Sequence, residues 1–522
     1  MANPLKYVPS DALIVGWDFG TTGVKCIAFS VDGKTVAEVR LPNDLWTAGR
    51  VVELNLMQLE GQVRASVRAI AQKLRDLGRL KDWIAGGISA THHSAGRIDA
   101  QHNQVRRAIF WNDPSLAKYH ALGIKRLGGE DRATELLGGP WAIRYSLSHL
   151  VKDEAKLSEA DWQRTAKILT HGALAAGYLT GNFDVISVSS AASTGLMNLK
   201  DKTWCMAMLD ALKVDTHRQL VERQLPRIID QFQPIGPLHP SLVQEAGLDP
   251  RRPPLIFPTS DDQQAGLVGG GAFETGRLAV ILGTSAVVNS SSMELPTTKH
   301  LDVMRLNWDP YLWMRCYNNG AQFVDKIVER EPGWGDEEWR ELDELASEAP
   351  PGCNGTSVVP FLFAEPSLGI KKPRFKWKKK PRDRGTRFRA ALEALAYLIA
   401  LGVKAHRKGG QEISRITVSG GLARSPLMGR ILASVLQLPI HPLVSDEGPA
   451  LGAAATALAA IENHFRQQQG EPGTCTVAEA AGVMVEFRPA IAPDPEWEAF
   501  YQKGLKKFEK LAGIKKERLE TT

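Results

Sequence analysis

The feature that most constrains this chain is an opening pattern that occurs twice, about half a chain length apart. Residues 13–23 run from an apolar, strand-like segment into a turn with the sequence Asp-Phe-Gly-Thr-Thr-Gly, and a second strand-like segment follows. Residues 278–285 repeat this arrangement with a Gly-Thr-Ser turn. Gly20 and Gly283 are separated by about half of the 522 residues. This spacing predicts an internal duplication, in which two related halves begin as strand, tight turn and strand.

The rest of the chain alternates helix and strand patterns. Helical periodicity is predicted at 56–77 and at 386–408, where the last turn is basic and a glycine follows. Short apolar strands are predicted near 84–89 and at 413–418. Such alternation is typical of mixed α/β domains. We predict a first domain at 11–270, a second at 271–463 and a polar C-terminal appendix with a charged helix at 464–522.

The net charge of +6 is concentrated in two segments. Residues 371–384 hold nine Lys or Arg and one acid, residues 503–522 hold seven basic residues and three Glu, and the remainder is net acidic. Charge placed this way argues against a nucleic-acid partner. Two interpretations of 371–384 stay open: a solvated loop, or a basic lip of a cleft that attracts an anionic ligand.

Cysteine usage and hydropathy point to a cytoplasmic protein with no membrane partner. The five cysteines lie far apart and form no Cys-x-x-Cys pair, which argues against a disulfide framework or a structural zinc site. The N-terminus has no apolar signal-like region, and the longest mainly apolar run, 450–461, is shorter than the roughly 20 residues of a membrane span.

The two glycine turns are candidate phosphate-binding sites. Glycines let backbone N–H groups approach phosphate oxygens, and the hydroxyls of Thr21, Thr22 and Ser285 add donors. Asp18, directly before the first turn, is placed to hold Mg²⁺ directly or through its waters. Each turn alone also fits an ordinary hairpin, and their pairing favours phosphate binding. The chain has no Walker A pattern, so a P-loop is excluded.

A third glycine turn follows the strand predicted at 413–418. Gly420 and Gly421 leave room for a flat base or ribose against the backbone, and Ser425 with Pro426 predicts a helix start. A helix N-terminus favours negative charge. A plain strand-to-helix turn is the alternative.

Polar residues that could bind an acceptor lie in the first half. A carboxylate from the pair Asp261 and Asp262, at the end of an apolar run, can accept the proton of a substrate hydroxyl. Adjacent residues on an extended segment point opposite ways, so one of the two should face the site. Thr-His-His at 91–93 and the segment 108–113 add an indole wall and hydroxyl partners. Alternatively, these residues are loop residues whose polar groups only form hydrogen bonds within the protein. A metal site at the two histidines is disfavoured, because no third ligand follows at a typical spacing.

The ordered motifs at 14–461 resemble the FGGY family of carbohydrate kinases. The resemblance implies an α/β fold of two duplicated actin-like ATPase (ribonuclease-H-like) domains with a cleft between them, and it implies ATP and Mg²⁺. It implies Asp262 as the general base, Asp18 as the metal ligand, and His93, Trp111, Asn112 and Asp113 as substrate contacts. The implied nucleotide contacts are Gly20, Thr21, Thr22, Lys25, Gly283, Thr284, Ser285, Gly320, Gly420, Gly421 and Ser425.

The chain departs from the family pattern at three places near the acceptor motifs. The Gly-Gln-Met-His of many pentulose kinases reads Ala-Thr-His-His at 90–93, so His92 replaces the methionine. Asp261 replaces the glycine before the base, and Pro114 replaces the arginine after Trp-Asn-Asp.

Several functions stay open. A ketopentose such as xylulose or ribulose is the first choice of substrate, and glycerol or another polyol is the second. From other classes, the chain could be an actin-like or chaperone-type ATPase or a degenerate kinase that senses sugar. A homodimer also stays open.

Overall fold

The computed structural model describes residues 4–48, 51–298, 300–331, 333–471 and 473–514. The chain divides into two compact units. The first contains Met1–Gly269, Val303–Tyr311 and Pro449–Val485, and the second contains Gly270–Asp302, Leu312–Gly448 and Glu486–Thr522. Among the described helices, none has both the length and the apolar content that crossing a membrane requires.

The chain up to Gly269 forms sixteen strands and ten α-helices within the described residues. The strands are β1 (Leu13–Phe19), β2 (Gly23–Ser30), β3 (Thr35–Pro42), β4 (Trp46–Ala48), β5 (Val51–Leu54), β6 (Trp83–Ala90), β7 (Ala95–Ile98), β8 (Gln104–Ile109), β9 (Lys167–Leu169), β10 (Val185–Ser187), β11 (Met197–Asn198), β12 (Thr203–Trp204), β13 (Arg227–Ile229), β14 (Gly236–Pro237), β15 (Leu255–Ile256) and β16 (Ser260–Asp261). The helices are α1 (Leu56–Asp76), α2 (Leu116–Leu127), α3 (Glu130–Leu137), α4 (Ser146–Lys156), α5 (Glu159–Arg164), α6 (His171–Thr180), α7 (Val188–Ala192), α8 (Asp215–Gln224), α9 (Pro240–Ala246) and α10 (Asp262–Gly269).

The described chain after Gly269 adds eight strands and seven α-helices. The strands are β17 (Arg277–Leu282), β18 (Ala286–Ser292), β19 (Asp302–Arg305), β20 (Tyr311–Tyr317), β21 (Ser357–Phe361), β22 (Arg374–Lys378), β23 (Arg415–Ser419) and β24 (Ile440–Pro442). The helices are α11 (Ala321–Val328), α12 (Asp336–Ser347), α13 (Arg384–Lys408), α14 (Pro426–Leu436), α15 (Gly448–Gln468), α16 (Val477–Met484) and α17 (Pro495–Ala512).

Each unit is organised around a mixed sheet, and the two sheets share a pattern. In the first, with the order β14-β15-β6-β1-β2-β3, β1 is antiparallel to β2 and parallel to β6. In the second, β20-β18-β17-β23-β24 are neighbours, and β17 is antiparallel to β18 and parallel to β23. Both sheets therefore begin as a hairpin and continue in parallel strands. This repeat confirms the predicted α/β class with two sheet-rich units.

Helix α15 belongs to the first unit because its backbone packs closely against that unit's sheet. A Cβ built on Gly16 of β1 would lie 2.1 Å from the carbonyl oxygen of Ala450, and one on Gly87 of β6 would lie 2.1 Å from that of Ala453. Only glycines leave room for such an approach. The domain boundary predicted at 463 therefore differs from the compact units, because α15 and α16 lie in the first and α17 lies in the second.

The C-terminal segment is more than a polar appendix. The side chain of Tyr501 on α17 is fully buried, and its hydroxyl donates to Oε1 of Glu393 at 2.9 Å. Nη2 of Arg389 donates to the same hydroxyl at 3.1 Å. These contacts make α17 part of the second unit, while residues 515–522, which carry part of the predicted basic C-terminal segment, lie outside the described residues.

The basic segment 371–384 contains the short strand β22, and the residues on either side of it, up to the start of α13, form no regular structure. Strand β22 pairs antiparallel with β21, from Ser357 opposite Lys378 to Phe361 opposite Arg374. Its sequence alternates basic residues with Phe375 and Trp377, and Trp377 packs against the core of the second unit. This period-two pattern is a strand signal that the total charge obscured. The basic side chains of the strand are exposed.

Candidate functional site

Three parallel strands of the first unit end beside the residues that were predicted to bind the substrate or the metal ion. Asp18 on β1 pairs with Ser89 on β6, and Asp261 on β16 pairs with Ala90. The Oγ of Ser89 donates to Oδ1 of Asp18 at 3.0 Å. Because β1, β6 and β16 end at one edge of the sheet, they bring Asp18, the His92–His93 segment and Asp262 to the same place.

The two adjacent aspartates lie in different environments, as expected for neighbours on an extended segment. The side chain of Asp262, at the start of α10, is 27% exposed, and that of Asp261 is 1% exposed. Oδ2 of Asp261 accepts from Oγ of Ser189 at 2.6 Å, and its Oδ1 accepts from the backbone N–H of Gln264 at 2.7 Å. Asp261 is therefore held inside the protein, while Asp262 is accessible to a ligand.

Buried His92 lies between the two carboxylates. Its Nε2 is 2.5 Å from Oδ1 of Asp262 and 3.3 Å from Oδ1 of Asp261. Burial by itself lowers the pKa of His92, but the charges of Asp261 and Asp262 outweigh it and hold that pKa above its usual value. Burial raises the pKa of Asp261, against the opposing effects of His92 and Ser189.

A hydrogen bond explains the short contact between His92 and Asp262 better than a shared metal ion does. One ligand atom from each of His92, Asp261 and Asp262 lies within 4.8 Å of the others. Two atoms bound to one transition metal at about 2.1 Å each are normally about 3 Å or more apart. The 2.5 Å contact between His92 and Asp262 is shorter than that, so we assign it to a hydrogen bond.

His93 is buried and neutral. Its Nδ1 donates to the carbonyl oxygen of Ser193 at 3.0 Å, and its Nε2 accepts from Nε of Arg144 at 3.1 Å. Its ring stacks on that of His92 with the centroids 4.5 Å apart. Burial, together with the charges of His92 and Arg144, holds the pKa of His93 well below its usual value. The predicted substrate contact is thus a neutral imidazole with both nitrogens occupied.

The first glycine turn is fixed by backbone contacts. The N–H of Gly20 donates to the carbonyl oxygen of Gly23 at 2.9 Å. Nδ2 of Asn43 donates to the carbonyl oxygens of Gly20 and Thr21, each at 3.2 Å. Thr22 is exposed, and Lys25 lies opposite Asp18 in the β1–β2 hairpin. The turn therefore places Lys25 beside the predicted metal ligand.

Of the predicted substrate residues at 111–113, the structure places Trp111 beside the first turn. Its Nε1 donates to Oγ1 of Thr21 at 3.2 Å. Asn112 is exposed. Asp113 is buried, and its two carboxylate oxygens accept from Nζ of Lys152 and from the backbone of Ser115, each at 2.8 Å. Asp113 is thus occupied by protein partners, and its substrate contact stays a prediction.

Asn307 is a site-supporting residue that the sequence analysis missed. Its side chain accepts from the backbone N–H of Ser189 at 2.8 Å and donates to the carbonyl oxygen of Thr259 at 3.0 Å. Its backbone N–H donates to Oε1 of Gln264 at 3.0 Å. Asn307 thus ties Ser189 to the segment that carries both aspartates. It lies more than 40 residues away in sequence, so no local pattern could have revealed it.

The second glycine turn lies at the equivalent end of the other unit's sheet. Gly283, Thr284 and Ser285 connect β17 to β18, and Gly320 packs directly against their backbone. The backbone N–H of Ala321 donates to the carbonyl oxygen of Gly283 at 2.8 Å. Two predicted nucleotide motifs that lie far apart in sequence are therefore adjacent.

Buried Glu365 holds the Gly320 loop. Its Oε2 accepts from the backbone N–H of Asn318 at 2.8 Å and from Nδ2 of Asn319 at 3.1 Å. Its Oε1 accepts from Oγ of Ser367 at 2.9 Å. Burial raises the pKa of Glu365, against these hydrogen bonds. The loop before Gly320 is therefore anchored by a carboxylate about 45 residues later in the sequence.

The third glycine turn follows β23, whose Ser419 pairs with Ile281 of β17. Gly420 has φ of 93° and packs against the backbone of Leu282, whereas Gly421 is exposed. The Oγ of Ser425 accepts from the N–H of Met428 at 2.9 Å, which confirms the predicted helix start. The predicted nucleotide residues Gly283 to Ser285, Gly320, Gly420, Gly421 and Ser425 thus lie in the second unit.

Asp343 on α12 supports this helix start and was also missed by the sequence analysis. It accepts from Oγ of Ser425 and, at 3.1 Å, from the backbone N–H of Leu427. Burial raises the pKa of Asp343. Because the contact joins residues more than 80 positions apart, only the folded chain reveals it.

Comparison with known families finds two matching domain models. The N-terminal domain of the FGGY family of carbohydrate kinases matches residues 13–269, and the C-terminal domain of that family matches residues 278–461. Together they span most of the chain.

Individual relatives and structures give the same picture. A xylulose kinase from Haemophilus influenzae is 24% identical over 466 residues, which cover 85% of this chain and 90% of that protein. An L-fuculokinase from Escherichia coli is 25% identical over 467 residues, which cover 85% of this chain and 91% of that protein. The structure of a ligand-bound xylulose kinase from Lactobacillus acidophilus aligns with a TM-score of 0.81 at 21% identity, covering 96% of this chain and 98% of that one.

Proposed function

Because the chain belongs to the FGGY family of carbohydrate kinases, and so transfers a phosphoryl group from ATP to a sugar hydroxyl, we propose that its acceptor is a ketopentose of the xylulose or ribulose type and that Asp262 is the general base. The observation that carries the proposal is the partly exposed Asp262 carboxylate at the sheet edge, beside the buried side chains of His92 and Asp261. The xylulose kinases among the relatives support the substrate class.

The chemistry assigned to Asp262 is proton acceptance. A free carboxylate oxygen accepts the proton of the sugar hydroxyl as that oxygen attacks the γ-phosphorus. His93 and Trp111 line the acceptor side in this proposal, with Asn112 and Asp113 as the further contacts. The indole of Trp111, which contacts Thr21, offers a flat apolar surface, which suits the face of a sugar.

Asp18 fits the predicted role of a magnesium ligand. A carboxylate is the ligand type that Mg²⁺ prefers, and the ion normally keeps several waters. Ser89 orients the Asp18 carboxylate by its hydrogen bond to Oδ1. When bound, Mg²⁺ would neutralise negative charge on the phosphates.

The nucleotide contacts are assigned to all three glycine turns. Gly20, Thr21, Thr22 and Lys25 would bind phosphate from the first unit, and the turns at 283–285 and 420–421, with Gly320 and Ser425, would bind the nucleotide in the second. In this proposal the N-terminal domain at 11–270 binds the sugar and the C-terminal domain at 271–463 binds the nucleotide. The crowded, hydrogen-bonded backbone around Gly320 and Gly420 supports a preformed site.

Two glycines give a matched test of the nucleotide assignment. A Cβ on Gly420 would lie 2.6 Å from the carbonyl oxygen of Leu282, and its φ of 93° disfavours a side chain. A Cβ on Gly482, an exposed residue of α16 outside the predicted nucleotide contacts, would meet nothing within 4 Å. We expect Gly420→Ala to weaken ATP binding at least about tenfold, or ~1.4 kcal/mol, and Gly482→Ala to leave it unchanged. Titration calorimetry measures both; equal affinities for the two variants would contradict the assignment.

A substrate panel tests the acceptor class. ADP release would be measured with ketopentoses, ketohexoses, glycerol, other polyols and aldonates. We expect kcat/KM for a ketopentose to exceed that for glycerol by at least about tenfold, because a site built for several hydroxyls discriminates strongly against acceptors that lack them.

The other outcomes of the panel identify the alternatives. A preference for glycerol or another polyol would replace the ketopentose assignment. ATP consumption that ignores every sugar would indicate a chaperone-type ATPase, and sugar binding without ADP release would indicate a sensor. Asp262→Asn, assayed beside the wild type, separates phosphoryl transfer from contaminating kinase activity.

A further inference from the structure

We propose that His92 and Asp261 form a charged pair that positions the carboxylate of Asp262 in the site where the sugar binds. The proposal rests on the assignment of Asp262 as the general base. His92 and Asp261 are positioning residues in this account, since they act through Asp262.

The hydrogen bonds of the cluster orient one oxygen of the base. Nε2 of His92 donates to Oδ1 of Asp262 at 2.5 Å, and Nε2 of Gln263 donates to the same oxygen at 3.3 Å. Both contacts hold Oδ1. The carboxylate plane is thereby fixed, and Oδ2 is left to accept the proton of a hydroxyl.

Asp261 in turn orients His92. Its Oδ1 lies 3.3 Å from Nε2 of His92, and its other contacts, to Ser189 and Gln264, prevent the carboxylate from turning away. The imidazole is also stacked on His93, 7° from parallel. The ring of His92 therefore has one orientation, in which Nε2 points at both carboxylates.

Charge explains why the two residues belong together. Asp261 is buried beside a second carboxylate, and two such charges repel each other strongly at low dielectric. A protonated His92 between them removes that repulsion. The charged or titratable groups that face His92 are Asp261 and Asp262, which favour its proton, and Arg144 and stacked His93, with Arg144 opposing that proton. The pKa of His92 is raised, which is expected if the two carboxylates outweigh the effects of burial and Arg144.

The same coupling accounts for two departures from the family pattern. His92 stands at the methionine of the Gly-Gln-Met-His motif, and Asp261 stands at the glycine before the base. These positions are about 170 residues apart, yet their side chains meet. Asp261 without His92 would place an uncompensated negative charge beside the base. The histidine at position 92 supplies the compensating positive charge, so the two departures are expected to occur together.

A double-mutant cycle tests the pair. Variants His92→Met, Asp261→Asn and the double variant would be assayed for kcat and for the KM of ATP. We expect His92→Met alone to lower kcat by about 10²-fold, since misplacing a reacting group by about 1 Å costs roughly that much. His92→Met also leaves the carboxylates of Asp261 and Asp262 close together without a neutralising positive charge. The double variant should recover kcat to within about tenfold of the wild type, because removing the Asp261 charge removes the repulsion. The KM of ATP should stay unchanged throughout.

The pH dependence of kcat distinguishes a charged pair from a purely structural contact. The raised pKa of His92 means that its proton is present below that pKa and lost above it, so kcat of the wild type should fall on the alkaline side. Asp261→Asn removes an opposite charge, lowers the pKa of His92, and should move this limb about one pH unit or more toward acid. His92→Gln keeps an N–H donor that does not titrate but loses the positive charge, so the alkaline limb should disappear and kcat should lie between those of His92→Met and the wild type.

The controls separate failure of this proposal from failure of the proposed function. His464→Gln, at a partly exposed histidine of α15, should behave as the wild type. One outcome is that Asp262→Asn abolishes transfer while the fold-changes in kcat of His92→Met and Asp261→Asn multiply in the double variant and the alkaline limb stays in place. That result would overturn the pair and leave the base assignment intact. If Asp262→Asn keeps normal transfer, the base assignment fails and the positioning proposal fails with it.

Discussion

Asp262→Asn is expected to lower turnover by about 10²- to 10⁴-fold, the range that removal of a general base normally produces. Asparagine keeps the size of the side chain and can still accept through its Oδ1, but it cannot take the proton of the sugar hydroxyl. ATP affinity should change little, since the predicted nucleotide contacts lie on the glycine turns. Steady-state ADP release and calorimetric ATP titration measure the two effects on the same preparation.

A matched control uses an aspartate that the site does not contain. Asp76, exposed in the last turn of α1, accepts from Gln72 at 2.7 Å, and Asp76→Asn should leave turnover unchanged. Near-normal turnover of Asp262→Asn in the same assay would show that another group accepts the proton. Loss of ATP affinity in Asp262→Asn would instead indicate a wider structural change.

Gly16→Ala is expected to destabilise the first unit by about 2 to 3 kcal/mol, because the added methyl group overpacks a close contact between backbones. Its Cβ would lie 2.1 Å from the carbonyl oxygen of Ala450 on α15. Neither partner is a flexible side chain, so β1 or the helix must move. Urea denaturation followed by intrinsic tryptophan fluorescence would report the change, since Trp17 and Trp83 are buried in this sheet.

Gly61→Ala is the matched control. Gly61 lies within α1, and a Cβ there would meet nothing within 4 Å. Alanine is a better helix former, so this change should stabilise the protein by about 0.5 to 1 kcal/mol. If Gly16→Ala also stabilises, the close approach of α15 to β1 is wrong.

Local sequence patterns predicted the features that depend on neighbouring residues. The glycine turns after β1 and β17 follow from a local pattern. The start of α14 at Pro426 follows from Ser425, and the basic end of α13 was equally readable. The period-two pattern of β22 is equally local, but it lies within a segment of nine basic residues whose charge is also typical of a solvated loop.

Which distant residues share one environment depends on the packing of the folded chain. It placed α15 on the sheet of the first unit, because Gly16 and Gly87 leave space that only a bare backbone fills. It brought His92 to Asp262 and Asn307 to the segment that carries the base. These contacts depend on packing and charge between segments far apart in the chain, and no local periodicity encodes them. The sequence thus identified the kinase motifs, while the fold decided that the predicted base has a histidine and a second aspartate beside it.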